Sequence, residues 1–266
     1  MEKFRRTSQK ILFENGKGIR LCGIIDRPER TPVATALFSH CFTCTKDLKA
    51  IVKISRLLSE NGIAVLRFDF TGLGDSQGVF SDTDFDDDCQ DLLAAAQAMT
   101  EHIAPPQLMI GHSLGGAAMM TMAPRLQSVQ GLVTIASPSS TKHLADFLSQ
   151  TNPDIIEKGE GMVEIGGRRY LLKKHLIENL RQQNLEQRLN ELTIPHLIFH
   201  PPQDQTLPYW HAEKMFEFTG GPKSLVTLDG SDHLLVDRPD DCQFVSDIIV
   251  TWLGRFVDFS AIHNDA

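Results

Sequence analysis

Apolar and polar positions alternate along the chain in blocks whose period switches between two residues and three to four. Residues 10 to 14 and 19 to 26 alternate around a glycine-containing turn, which predicts an antiparallel hairpin. Ala34 to Ser39 is continuously apolar, as expected of a strand covered on both faces. An amphipathic helix follows from about Leu48 to Asn61, with Ile51, Ile54, Leu57 and Leu58 on one face and Gly62 just past its end. Ile63 to Phe70 reads as the next strand, so strand, helix and strand form a parallel crossover. The acidic run Asp82 to Asp91 opens a helix that ends near His102. Its carboxylates complement the positive end of the helix dipole, a simpler reading than a metal site, for which no ligand spacing converges.

A short strand, Leu108 to Ile110, a tight turn and a helix of small residues come next, then a strand from Gly131 to Ala136. From Ser137 to Leu192 the rhythm breaks. Lys142 to Gln150 reads as helix, Met162 to Leu172 as a hairpin turned by Gly166-Gly167, and Lys173 to Leu192 as polar helix. An insertion of about 55 residues is too small for a core of its own, so it is expected to cover the site. The rhythm resumes with a strand from Pro195 to His200, a helix from about Tyr209 to Phe218, a strand from Ser224 to Leu228, and a closing helix from Cys242 to Phe256. Val245, Ile248, Ile249 and Trp252 share one face of that last helix. The pattern is that of one α/β domain, residues 1 to 266, with a cap at about 137–192 and neither internal repeat nor low-complexity linker.

Composition narrows the function classes. Lys and Arg number 26 against 34 Asp and Glu, a formal charge of −8, and no basic stripe is present, which argues against nucleic acid as a partner. No stretch reaches the roughly 18 apolar residues of a membrane span, and the charged start Met1-Glu2-Lys3-Phe4-Arg5-Arg6 does not lead into a secretory signal. A soluble, cytoplasmic protein is expected. Five cysteines, an odd number, argue against a disulfide framework and are read as reduced. A homodimer is left open.

The chemistry is concentrated at Gly111-His112-Ser113-Leu114-Gly115, a Gly-x-Ser-x-Gly between a strand and a helix. That is the context of a nucleophile elbow, in which the serine stands at the apex of a strained turn and its neighbours two residues away must lack a Cβ. Ser113 needs a base, and the base needs an anion to fix its tautomer. In a doubly wound sheet both come from loops at the carboxyl ends of strands, which removes most of the ten histidines. His233, in a loop after the last strand, is the preferred base. His200 is its rival, and His112 is expected to point elsewhere. Asp204, in the loop after the preceding strand, is the preferred acid over Asp229 and Asp232, and gives the chain order Ser, Asp, His. Backbone N–H groups of Leu114 and of Phe42, in the loop after Ala34 to Ser39, are the expected oxyanion donors.

The set His40-x-Phe42-Thr43, Arg67-Phe68-Asp69-Phe70-x-Gly72-x-Gly74-Asp75-Ser76, Gly111 to Gly116, Asp204 and Asp232-His233 resembles the α/β-hydrolase superfamily over essentially the whole chain. Within it the chain is similar to small-capped serine esterases that include the cinnamoyl (feruloyl) esterases, and to the hydrolase half of proteins fused to an OsmC-like domain. The resemblance implies a mostly parallel, eight-stranded doubly wound sheet with a small cap inserted after the sixth strand. It also implies donation to the oxyanion by the residue two after the loop histidine, Phe42, a small-molecule ester as substrate, and neither metal nor organic cofactor. Cys41 departs from the glycine usual there. If the position requires positive φ, cysteine is strained.

Three other readings stay open. An amidase or peptidase uses the same triad, a non-catalytic homologue would only bind a ligand, and Cys41-x-x-Cys44 admits a thiol redox protein. Met162, Ile165, Tyr170, Leu171 and Leu172 either line an acyl or aryl pocket or pack beneath the insertion. Tyr170 is the candidate substrate contact among them.

Overall fold

A computed structural model describes residues 3–238 and 240–257. In chain order the strands and helices begin with β1 (Arg6–Glu14), β2 (Arg20–Pro28), β3 (Ala34–Ser39), α1 (Lys49–Glu60), β4 (Ile63–Phe68), α2 (Phe85–His102), β5 (Leu108–His112), α3 (Leu114–Met122) and β6 (Gly131–Ile135). The inserted segment carries α4 (Lys142–Thr151), α5 (Asp154–Glu157), β7 (Glu160–Ile165), β8 (Arg168–Lys173), α6 (Lys174–Gln182) and α7 (Leu185–Asn190). The main rhythm then closes with β9 (His196–His200), α8 (Trp210–Phe218), β10 (Lys223–Thr227) and α9 (Asp241–Leu253).

Eight strands make one sheet in the order β1-β2-β4-β3-β5-β6-β9-β10. The β1–β2 and β2–β4 pairs are antiparallel, and every pair from β4 to β10 is parallel. After β3 the chain goes to one side to form β4 and then to the other to form β5. The loops leaving β3 and β5 therefore diverge above a crevice at the switch of strand order. The β3–β5 register sets Ser39 beside Gly111, which brings the loop from His40 onward next to Ser113.

Each face of the sheet holds its own apolar layer. Ile51, Ile54, Leu57 and Leu58 of α1 join Val245, Ile249 and Leu253 of α9 on one face. Ile248 and Trp252 only pack against its margin. On the other face α2 and α3 lie over Leu66, Met109 and Leu132. Ala145, Leu148, Val163, Leu172, Leu176, Leu180 and Leu189 of the inserted segment belong to that same layer, so the segment has no separate interior.

Local chemistry explains the remaining boundaries. Asp84 caps α2, its carboxylate accepting from the amides of Asp86 and Asp87. The hairpin β7–β8 turns through Gly166 and Gly167 at φ 58° and 74°. The stretch expected to be helical from Lys173 to Leu192 is two helices, divided where Asn184 starts a new cap by accepting from the amide of Gln187. One expectation is overturned: Cys41 and Cys44 are joined as a disulfide, their Cα atoms 5.2 Å apart. Cys22, Cys89 and Cys242 are unpaired and buried. The counting argument failed because a four-residue ring depends on loop conformation alone, not on the number of cysteines.

Candidate active site

One residue separates β5 from α3. Ser113 bridges them at φ 53°, ψ −124°, a conformation a side chain rarely adopts, and its amide is held by the Ile135 carbonyl at 2.9 Å. A Cβ on Gly111 would overlap the Gly116 backbone, and one on Gly115 would overlap the His40 carbonyl. The elbow therefore exists only because both positions are glycine. Ser113 stands at the N-terminus of α3, at the positive end of the helix dipole.

The structure brings three predicted residues into one hydrogen-bonded line. Ser113 Oγ lies 3.1 Å from His233 Nε2, and His233 Nδ1 lies 2.6 Å from Asp204 Oδ2. The carboxylate fixes the proton on Nδ1 and leaves Nε2 facing the serine. The Asp204 side chain is fully buried, whereas the His233 ring keeps 11% of its surface open. Burial pushes the Asp204 carboxyl up, but His233 and the amides of Leu207 and Thr206 outweigh it and hold the group below the usual carboxylate range. Those amides donate to Oδ1 at 2.9 and 2.8 Å, so both oxygens are committed.

The rival residues have other work. His200 donates from Nε2 to the Leu207 carbonyl at 2.9 Å, and burial depresses its pKa. Asp229 accepts from Gln203 at 2.6 Å. The Asp232 carboxylate gathers the amides of Leu234, Val236 and Asp237, which builds the loop that presents His233. His112 does not point away. Its Nε2 donates to the His233 carbonyl at 2.7 Å, and the two rings lie 5.1 Å apart. Burial, reinforced by His233, drives the His112 pKa down to about 3, so the ring stays a neutral donor. Sequence reasoning missed this contact, and its only signal was adjacency to Ser113.

The loop from His40 to Asp47 leaves β3 beside the elbow. His40 donates from Nδ1 to the Cys41 carbonyl at 2.8 Å and accepts the Phe70 amide on Nε2 at 3.3 Å. Cys41 does not carry positive φ. The left-handed residue is Thr43, at φ 60°, inside the disulfide ring. Among the described residues the amides of Phe42 and Leu114 donate no hydrogen bond, and neither do those of Cys41 and Thr43. Tyr170 of β8 donates its hydroxyl to the Thr43 carbonyl at 3.1 Å, which ties the inserted segment to this loop. Phe42, Phe80 and Tyr170 form an aromatic row with ring centres 5.6 and 5.5 Å apart.

The far end of the loop is pinned by buried charge. Lys46 Nζ reaches Asp69 at 2.8 Å and Asp47 and Asp75 at 3.1 Å. Burial opposes its charge, but those carboxylates hold the ammonium well above its ordinary pKa. Arg67 donates to Asp26 at 3.0 Å, to Asp47 at 2.9 Å and to the Lys46 carbonyl at 2.8 Å. Among the described residues one trio, Cys22, Asp69 and Asp75, is close enough to share a cation, and the Lys46 ammonium already bonds both of its carboxylates. The acidic start of α2 is likewise engaged: Asp87 pairs with Lys17, Asp82 with Lys173, and buried Asp91 accepts from Asn15 and the Thr71 amide.

Comparison with known proteins places this arrangement. A model of the alpha/beta hydrolase family matches residues 36–242. The esterase domain of a Rhodothermus marinus protein is 38% identical, with a TM-score of 0.74 over 94% of this chain and 99% of that one. Est1E of Butyrivibrio proteoclasticus, solved with ferulic acid bound, has a TM-score of 0.78 at 22% identity, over 92% of this chain and 98% of its own. The uncharacterized protein YfhR of Escherichia coli strain K12 is 24% identical over 231 residues, 86% of this chain and 74% of that protein.

Proposed function

The chain belongs to the alpha/beta hydrolase family, and from that membership we propose that it is a serine esterase acting on short acyl or aryl esters through an acyl-enzyme. The observation that carries the reading is the line from Asp204 to His233 to Ser113, at 2.6 and 3.1 Å, ending on a serine held at positive φ. His233 Nε2 takes the proton of Ser113 as Oγ attacks the ester carbonyl, and Asp204 stabilises the imidazolium. The free amides of Phe42 and Leu114 receive the negative charge that develops on the carbonyl oxygen. His233 then protonates the leaving alcohol, and a water activated by the same ring releases the acid.

The aromatic row of Phe42, Phe80 and Tyr170 beside the oxyanion loop supports an acyl or aryl group as the part recognised. The Rhodothermus esterase domain supports an ester over an amide, and the ferulate bound by Est1E makes methyl ferulate a rational probe. A panel of p-nitrophenyl esters from acetate to decanoate, run beside methyl ferulate, tests the proposal. Ser113→Ala is expected to lower kcat by on the order of 10⁶-fold with the fold intact. Turnover that survives in that variant would sink the reading.

A further inference from the structure

The disulfide between Cys41 and Cys44 encloses two residues, Phe42 and Thr43. One offers the free amide of the proposed oxyanion hole, and the other is a β-branched residue at φ 60°. A conformation of that kind persists only where its surroundings over-determine it. Here the surroundings are the ring closure, the Cys44 amide on the Cys41 carbonyl at 3.1 Å, the His40 bond to that same carbonyl, and the Tyr170 bond to Thr43. Removing the covalent restraint leaves those three hydrogen bonds, and the one from the Thr43 hydroxyl to the Phe42 carbonyl at 2.6 Å, to hold a strained residue. The amide of Phe42 moves with it.

We propose that Cys41–Cys44 is a thiol–disulfide exchange site for a dithiol reductant, and that opening it switches the hydrolase to a low-turnover state. The proposal rests on the esterase reading of the same site. The sulfurs differ in access: Cys41 is only 4% exposed, whereas Cys44 is half-buried. A thiolate of the dithiol attacks Cys44 Sγ and Cys41 leaves as thiolate. The second thiol of the reductant then displaces Cys44 and closes the reductant's own disulfide. Two electrons and two protons pass to the pair, and the reductant is oxidised to the same extent. The other three cysteines are buried, and burial raises each thiol pKa, so they do not compete. In a reducing compartment a disulfide is more often transient or sensing than structural.

The full chain would be assayed with p-nitrophenyl acetate as isolated, after dithiothreitol treatment and anaerobic desalting, and after reoxidation with glutathione disulfide. Denatured thiol counts should rise from the three free cysteines to all five and return. Reduction is expected to lower kcat about tenfold or more, a fraction of what losing an oxyanion donor costs, with KM moving less than about threefold. Cys41→Ser/Cys44→Ser should sit at the reduced value and ignore the reductant. A kcat that stays level or rises with five thiols counted would overturn the proposal, as would five thiols in the protein as isolated. Hydrogen exchange over residues 40–47 gives an arm independent of ester turnover: faster exchange on reduction supports the switch, and unchanged exchange sinks it even if the ester panel fails.

Discussion

His112 supplies a side-chain hydrogen bond to the backbone of His233, and with its ring against the imidazole it aims the proposed base. It touches neither the ester nor the reacting proton, so it is a positioning residue. His112→Phe keeps a ring there and removes the donor, which should lower kcat by about tenfold, the worth of one good hydrogen bond, with KM nearly unchanged. His112→Gln restores an N–H and should recover most of the loss; equal damage from both variants would mean that ring packing alone matters. Among the described residues the buried Nδ1 has no partner to lose. Ser113, Asp204 and His233 were legible because strand order confines catalytic groups to a few loops. The direction of His112 was not, because the carbonyl that captures it lies 121 residues away in sequence.

The loop between β3 and α1 is held at both ends, by the disulfide near the elbow and by Arg67 and Lys46 at the far side. Asp26, Arg67, Lys46 and Asp69 are all buried, an arrangement that costs more to break than to replace. Arg67→Met should destabilise by about 3–5 kcal/mol in guanidinium unfolding, because it leaves the buried Asp26 carboxylate with the Ser8 hydroxyl and only a distant Arg6 guanidinium at 4.0 Å. Asp26→Leu/Arg67→Met should regain most of that. A double variant as unstable as the single would show that the pair itself is stabilising. In the sequence Arg67 and Asp69 stood out as part of a family resemblance, yet nothing marked them as buried, since charged residues near a strand end ordinarily face water. The short α5 and the break at Asn184 were hidden for a related reason: a four-residue helix and a cap inside a polar stretch leave no periodicity to count.

Acid should loosen the molecule well above the carboxylate range. His112 and His196 are buried, neutral, and pushed to about 3 by burial. His196 is spanned by the hydroxyls of Thr134 and Thr219 at 2.9 and 3.0 Å. The unfolded chain binds protons at both sites near pH 6.5 while the folded chain does not, so their stabilisation is complete above that pH and falls as pH drops toward 3. Each contributes a slope of at most about 1.4 kcal/mol per pH unit. Guanidinium midpoints at pH 7, 6 and 5 should therefore decline, and a protein more stable at pH 5 than at pH 7 would contradict this. The strands, the first parallel crossover and the position of the inserted segment were legible from hydrophobic period, because buried strands and amphipathic helices differ in repeat, whereas the eight-stranded doubly wound sheet followed from the family resemblance. How that segment meets the sheet was not legible. Ala145, Leu148, Val163, Leu172, Leu176 and Leu180 complete the apolar layer begun by Leu92, Ala96, Ala117 and Met119. The segment is thus no detachable module: a chimera given a relative's version would inherit half of a mismatched interior, and a change of substrate preference made that way has to travel with the outer faces of α2 and α3.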